Sequence, residues 1–207
     1  MTALSAALSA LSLSPDLEGK LRDFSALFMR WNRSINLSGA RDDDAMDLHI
    51  VDCLHVVPFL RTLTADATSP PTPPRVLDVG SGGGLPAVVA ALALPTVHVT
   101  ALEPVRKKHA FLRTAARELD LANFEPLAER LEDHTHRDYD AATSRATFDL
   151  LEWLELGCPF VRPGGLVLGF EAIPRADLPT ETTRASYFLG DRKRSIVALR
   201  RPPLYPE

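Results

Sequence analysis

The sequence has no excess of positive charge, almost no cysteine and no long apolar run. Its formal net charge is -4, whereas a protein that holds nucleic acid by general phosphate neutralisation is basic overall. Any RNA contact must therefore come from local clusters. The two cysteines, Cys53 and Cys158, lie far apart in apolar surroundings. That excludes a disulfide framework and a cysteine-rich metal site, and fits buried thiols in a reducing cytoplasm. No stretch approaches the roughly 20 apolar residues of a membrane-spanning helix. The opening Met1 to Leu8 has no basic lead, and serines interrupt its apolar residues. The expectation is a cytoplasmic chain without a secretory signal, membrane association or bound metal. There is also no internal repeat.

What is present is ordinary globular material. The 207 residues, 45% hydrophobic and 24% charged, suit one well-buried α/β domain with a modest extension. Residues 1–68 read as a helical extension. Ser14-Pro15 is a good helix start, and Leu17, Leu21, Phe24, Phe28 and Trp31 follow as one apolar stripe. Asn36-Leu37-Ser38-Gly39 breaks that helix, and the acidic run Asp42-Asp43-Asp44 opens a second amphipathic segment reaching Leu60. Ser69-Pro70-Pro71-Thr72-Pro73-Pro74 is a linker, because proline neither continues a helix nor donates to a sheet.

From 75 to 207 the texture alternates. Strands are expected at 75–79, 97–102, 124–127, 140–143 and 166–170, with helices at 85–94, up to 119 and around 148–156. This β-α alternation implies a mostly parallel sheet covered on both faces. Residues 186–189 and 195–199, joined by Gly190-Asp191-Arg192-Lys193-Arg194, add an antiparallel hairpin. The fold class is thus α/β, a Rossmann-like sheet closed by one hairpin, as S-adenosylmethionine-dependent methyltransferases end.

The decisive segment is Val76-Leu77-Asp78-Val79-Gly80-Ser81-Gly82-Gly83-Gly84-Leu85-Pro86. Glycines 80, 82 and 84 follow a strand and open a helix, where a ligand approaches bare backbone. Leu85 stands where a dinucleotide fingerprint requires its third glycine, and Asp78 precedes the loop. Both details favour S-adenosylmethionine over NAD. Glu103, about twenty residues on, ends the second strand and suits the ribose hydroxyls; the alternative is a tight turn with a surface glutamate. Leu131-Glu132 either reads an adenine edge or forms a solvated acidic turn. Arg145, just after the fourth strand, either meets a cofactor carboxylate or substrate phosphate, or is an ordinary surface arginine.

These residues resemble one family over nearly the whole chain after residue 24: the RsmG family, or glucose-inhibited division protein B, bacterial 16S ribosomal RNA guanine-N7 methyltransferases. The likeness rests on Arg30-Trp31-Asn32-Arg33-Ser34-Ile35-Asn36-Leu37-Ser38, His49-Ile50-Val51-Asp52-Cys53-Leu54, the glycine segment with its Gly-Leu-Pro, and Lys107-Lys108-His109-Ala110-Phe111-Leu112. It continues in Tyr139-Asp140-Ala141-Ala142-Thr143-Ser144-Arg145-Ala146, Pro163-Gly164-Gly165 and Arg194-Ser195-Ile196-Val197. The resemblance implies cofactor contacts at Gly80, Leu85, Leu131-Glu132 and Arg145, and a target guanine in the decoding-region loop of the small ribosomal subunit. Two positions depart from the family. Gly83 replaces a proline, which is expected to loosen the turn without abolishing binding, and Phe170-Glu171-Ala172 stands where relatives carry a lysine and glycine.

Guanine N7 carries no proton, so its methylation needs no general base and relies on positioning. The product is cationic, which a nearby carboxylate favours. His49 and Asp52 share one helix face; they line the substrate pocket, or His49 satisfies Asp52 as a structural pair, the reading favoured here. Arg30, Arg33 and Arg41, then Arg106, Lys107 and Lys108, then Arg192, Lys193 and Arg194 are the local clusters for RNA, although such clusters are more often solvated faces. Trp31 is either a stacking platform or, as favoured, core. Nothing demands more than a monomer. Two competing readings are a methyltransferase for a small molecule or protein, with the N-terminal helices as a lid, and a non-catalytic RNA-binding relative, suggested by the absent lysine.

Overall fold

A computed structural model describes residues 2–65 and 72–202. Part of the expected linker, residues 69–71, lies outside those described. Four helices come first: α1 (Ala3–Ala10), α2 (Leu17–Ile35), α3 (Asp43–Leu54) and α4 (Val57–Ala65). The apolar stripe of α2 is buried as its spacing requires, with Leu21, Phe24 and Phe28 all at 0% exposure. Trp31 is only partly buried, its ring 5.7 Å from that of Phe111.

Two helix boundaries differ from expectation. Ser14 does not cap α2: its Oγ accepts from Asp16 N at 3.3 Å, making a turn, and the helix begins at Leu17. The segment from Asp42 to Leu60 is two helices, because Pro58 has no N–H to continue the ladder and its ring opposes the carbonyl four residues back. The chain turns at His55 and restarts at Val57. The acidic start holds, as Asp42 accepts from Ala45 N at 2.8 Å.

The sheet has seven strands in the order β3-β2-β1-β4-β5-β7-β6. They are β1 (Arg75–Val79), β2 (His98–Leu102), β3 (Phe124–Leu127), β4 (Tyr139–Ser144), β5 (Val161–Glu171), β6 (Thr182–Leu189) and β7 (Arg192–Arg200). The first five run parallel and the last two form the antiparallel hairpin. Helices α5 (Ala87–Ala93), α6 (Arg106–Glu118) and α7 (Leu150–Gly157) connect them. One buried cluster joins α1–α6 to one sheet face, so the N-terminal helices share the core of the sheet. A smaller cluster on the other face packs Trp153 and Leu154 of α7 against Leu77 and Val167. No helix among the described residues is long and apolar enough to cross a membrane.

The hairpin turn is shorter than expected. Gly190 and Asp191 alone make it, Gly190 at φ +63° as two-residue hairpins favour, so Arg192, Lys193 and Arg194 belong to β7. Glu171, the departure from the family lysine, is buried at the end of β5. Its Oε1 accepts from Arg184 Nη2 at 2.8 Å and Arg175 N at 2.9 Å, and Arg184 Nε lies 2.7 Å from Oε2. Arg184→Ala would strand a carboxylate whose side chain is 1% exposed. Urea unfolding should then show a loss of about 2 kcal/mol, and a loss near zero would mean the pair is incidental.

Candidate functional site

From β1 the chain crosses to β2 on one side, while β4 leads to β5 on the other. The C-terminal ends of β1 and β4 therefore flank a switch point, where open α/β sheets leave a crevice. A cleft of about 700 Å³ occupies it, lined among others by Gly80, Gly82, Leu85, His49, Asp52 and Arg145. The glycine turn and the Ser144–Thr147 turn form its floor, and α3 overhangs it.

The glycine turn hangs on the end of β2. Gly80 and Ser81 both donate to Leu102 O at 3.0 Å. Gly82 N donates to Glu103 Oε2 at 2.8 Å, and Val105 N to Oε1 at 2.7 Å. Glu103 is thereby fixed, with each oxygen keeping a lone pair for a hydroxyl. Gly80 must be glycine: its φ is +71°, and a Cβ would fall 2.4 Å from Thr147 Oγ1. Gly83 is not a loosening of the turn. A Cβ there would sit 2.3 Å from Phe28 Cε2, because the Phe28 ring, edge-on to Phe24 and Phe111, presses against the loop from α2.

Beneath the turn lies Asp78, fully buried, with both carboxylate oxygens lacking a partner among the described residues. Its cross-strand neighbour Thr143 also has an unpartnered hydroxyl. Burial pushes the Asp78 carboxyl up to about 7. A buried carboxylate beside a glycine turn fits a ligand that brings its own cationic donor, as the α-ammonium of S-adenosylmethionine does. Asp78, the glycine turn and Glu103 thus form a donor and acceptor set that fits this cofactor.

On the opposite wall Arg145 donates from Nη1 to Asp52 Oδ2 at 3.1 Å, and lies 3.5 Å from His49 Nδ1. Burial, followed by the Arg145 charge, lowers the His49 pKa, leaving a neutral ring that accepts. Tyr187 of β6 donates to Asp52 Oδ1 at 2.8 Å. Asp52 is therefore paired with Arg145 and Tyr187, and the expected His49–Asp52 pair is not made. Ser144 Oγ donates to Val79 O at 2.8 Å, tying β4 to β1. The next turn is strained, with Ala146 at φ +59°.

The structure brings His49, Asp52, Arg145, Gly80, Gly82, Leu85 and Lys108 to one cleft. Gly84 instead packs on Val88 and Leu112, Leu131 enters the core under α7, and Glu132 is exposed beyond the lining. Arg33, Arg41 and Lys107 are exposed and away from the lining, and Arg30 pairs with Glu118 at 2.8 Å. Strand alternation sends Arg192 and Arg194 into the cleft and Lys193 away. By the same alternation Phe170 and Ala172 line the cleft, while Glu171 points to the other face. Tyr187 went unread in the sequence. Its alternation with Leu189 gave a face, but not the helix that face would meet. No group of three or more metal-ligating side chains is assembled among the described residues.

A family model described as rRNA small subunit methyltransferase G matches residues 17–203. The ribosomal RNA small subunit methyltransferase G of Aromatoleum aromaticum is 39% identical over 175 residues, covering 81% of this chain and 78% of its own. That of Sorangium cellulosum is 36% identical over 192 residues, covering 90% and 76%. Among solved structures, the cofactor-bound Rv0187 from MTB superposes with a TM-score of 0.60 at 15% identity, covering 87% of this chain and 90% of its own. A methyltransferase from Geobacter sulfurreducens gives 0.57 at 14%, covering 86% and 90%. Those two likenesses are of fold.

With Asp78 as the partner of a cationic ligand, affinity is expected to depend on pH. An ammonium partner requires the carboxylate, so affinity for S-adenosylmethionine should fall roughly tenfold from pH 8 to pH 6, and Asp78→Asn should flatten the profile. In the ligand-free protein the sign reverses. The folded pKa is raised, so this group's stabilisation is present below about pH 4 and lost as pH rises through about 7. Calorimetry across that range checks both, and a flat affinity profile for the native protein would contradict the assignment.

Proposed function

The chain belongs to the rRNA small subunit methyltransferase G family, and from that premise we propose that it methylates N7 of a guanine in the decoding-region loop of 16S ribosomal RNA. S-adenosylmethionine is the methyl donor, the small ribosomal subunit or its RNA is the partner, and the protein acts as a cytoplasmic monomer. The observation that carries the reading is the meeting, at the C-terminal ends of β1 and β2, of a buried carboxylate without a hydrogen-bond partner among the described residues, a glycine turn and a carboxylate fixed by that turn.

The bound cofactor supplies an electrophilic sulfonium methyl. Asp78 would hold its ammonium end, and Glu103 its ribose through the lone pairs left beside Gly82 and Val105. Gly80 and Gly82 keep the floor clear of side chains, and Leu85 closes it. Adenine contact falls to the Leu131-Glu132 backbone. No side chain has to remove a proton, because N7 has none. The cleft residues therefore orient and exclude water rather than relay protons. The Asp52 carboxylate lines the cleft but its charge is taken up by Arg145 and its second oxygen by Tyr187, so it orients that wall.

A substrate of repeated negative charge suits the walls. Lys108, Arg145, Arg192 and Arg194 all border the cleft of a chain whose net charge is -4, a local concentration against the overall sign. Lys107, Arg33 and Arg41 lie outside this ring and serve more distant phosphates, whereas Arg30 is held by Glu118. The absent family lysine does not favour a non-catalytic relative, because Glu171 spends its charge on Arg184 and places none in the cleft.

Small subunits from a strain lacking its own N7 activity, incubated with methyl-labelled S-adenosylmethionine, test this directly. Native protein should label one decoding-region guanine, located by chemical cleavage at 7-methylguanosine. Gly82→Asp, which puts a charged side chain on the cleft lining at a backbone φ of +55°, should label none. No label despite measurable cofactor binding would sink the RNA assignment.

A further inference from the structure

Arginine and carboxylate pair most strongly through two parallel hydrogen bonds, a planar fork on both oxygens. The buried Asp52–Arg145 pair does not. Among the described residues both hydrogen bonds of the guanidinium leave from Nη1, and Nε is buried without a partner. The second oxygen, Asp52 Oδ1, is taken by the Tyr187 hydroxyl at 2.8 Å. Tyr187 is itself held: its ring stacks on His55 at 3.6 Å with planes 10° apart, and its cross-strand partner is Arg194 of the cleft wall.

We propose that Tyr187 is a positioning residue for Arg145: by occupying Asp52 Oδ1 it limits the pair to one hydrogen bond and keeps guanidinium donors free for an oxyanion in the cleft. That oxyanion is a carboxylate or a phosphate, which the fork of arginine suits equally. The proposal rests on the reading of the cleft as the methyl-transfer site. Burial and the Asp52 charge both raise the Tyr187 pKa, so the phenol stays a donor. Remove the hydroxyl, and Oδ1 becomes the nearest acceptor for the free donors. The fork closes and Arg145 turns from ligand to Asp52.

Tyr187→Phe keeps the ring on His55 and deletes only the hydroxyl. In the native background it should lower kcat/KM for small subunits by about tenfold, and in an Arg145→Lys background by less than about twofold, since lysine has no fork to close. A rise in KM for S-adenosylmethionine identifies the oxyanion as its carboxylate, and a rise in KM for the subunit identifies an RNA phosphate. Equal losses in both backgrounds, or no loss in the native one, would overturn the proposal. Crystal structures of the native protein and Tyr187→Phe give a readout independent of activity. Both Asp52 oxygens should then contact Arg145 in the variant, and an unchanged single bond refutes the idea even if small subunits prove not to be the substrate.

Discussion

The ion pair between Asp52 and Arg145 is the contact on which the arrangement of the cleft depends. The two side chains are 5% and 16% exposed, so removing either partner would leave the other charge buried and uncompensated. Asp52 brings α3 down onto the turn after β4, and through Tyr187 it draws in the last hairpin. Three parts of the chain that are distant in sequence thus meet at one carboxylate. Without it, α3 would lose the carboxylate that joins it both to the turn after β4 and to the last hairpin.

The other wall is organised by sterics rather than charge. Phe28 presses on Gly83 from α2, and Thr147 presses on Gly80 from the turn after β4. The glycine turn is therefore gripped by an N-terminal helix on one side and by the switch-point turn on the other. The helical extension borders the cleft, since it contributes Leu37, Ser38, His49 and Asp52 to the lining. Asp78 beneath the turn is the remaining tension: a fully buried carboxyl, its oxygens without a hydrogen-bond partner among the described residues, pushed up by burial.

Much of this was legible in the residues. The mostly parallel sheet could be anticipated because short apolar strands alternate with helices, and Gly190 marked the hairpin; the strand order could not. The glycine loop, Asp78 and Glu103 were readable because their chemistry is local, set by spacing along a few dozen residues. Helix ends were less so. Pro58 splits the segment that periodicity alone runs together, and Ser14 makes a turn instead of a cap. Least legible were pairings across the chain. His49 and Asp52 share a helix face, which suggested a mutual pair, but the stronger donor for Asp52 comes from Arg145, 93 residues away. The hydroxyl of Tyr187 arrives from 135 residues away. Alternation assigned each residue a face; only the docking of α3 against the sheet edge decided what that face would touch.

Native-state hydrogen exchange on Asp52→Asn tests the central claim most directly. If one buried pair sets the cleft, amides of α3, of residues 144–147 and of β6 should lose protection together, while β1 and β2 keep theirs. Loss confined to α3, with residues 144–147 and β6 protected as before, would contradict it.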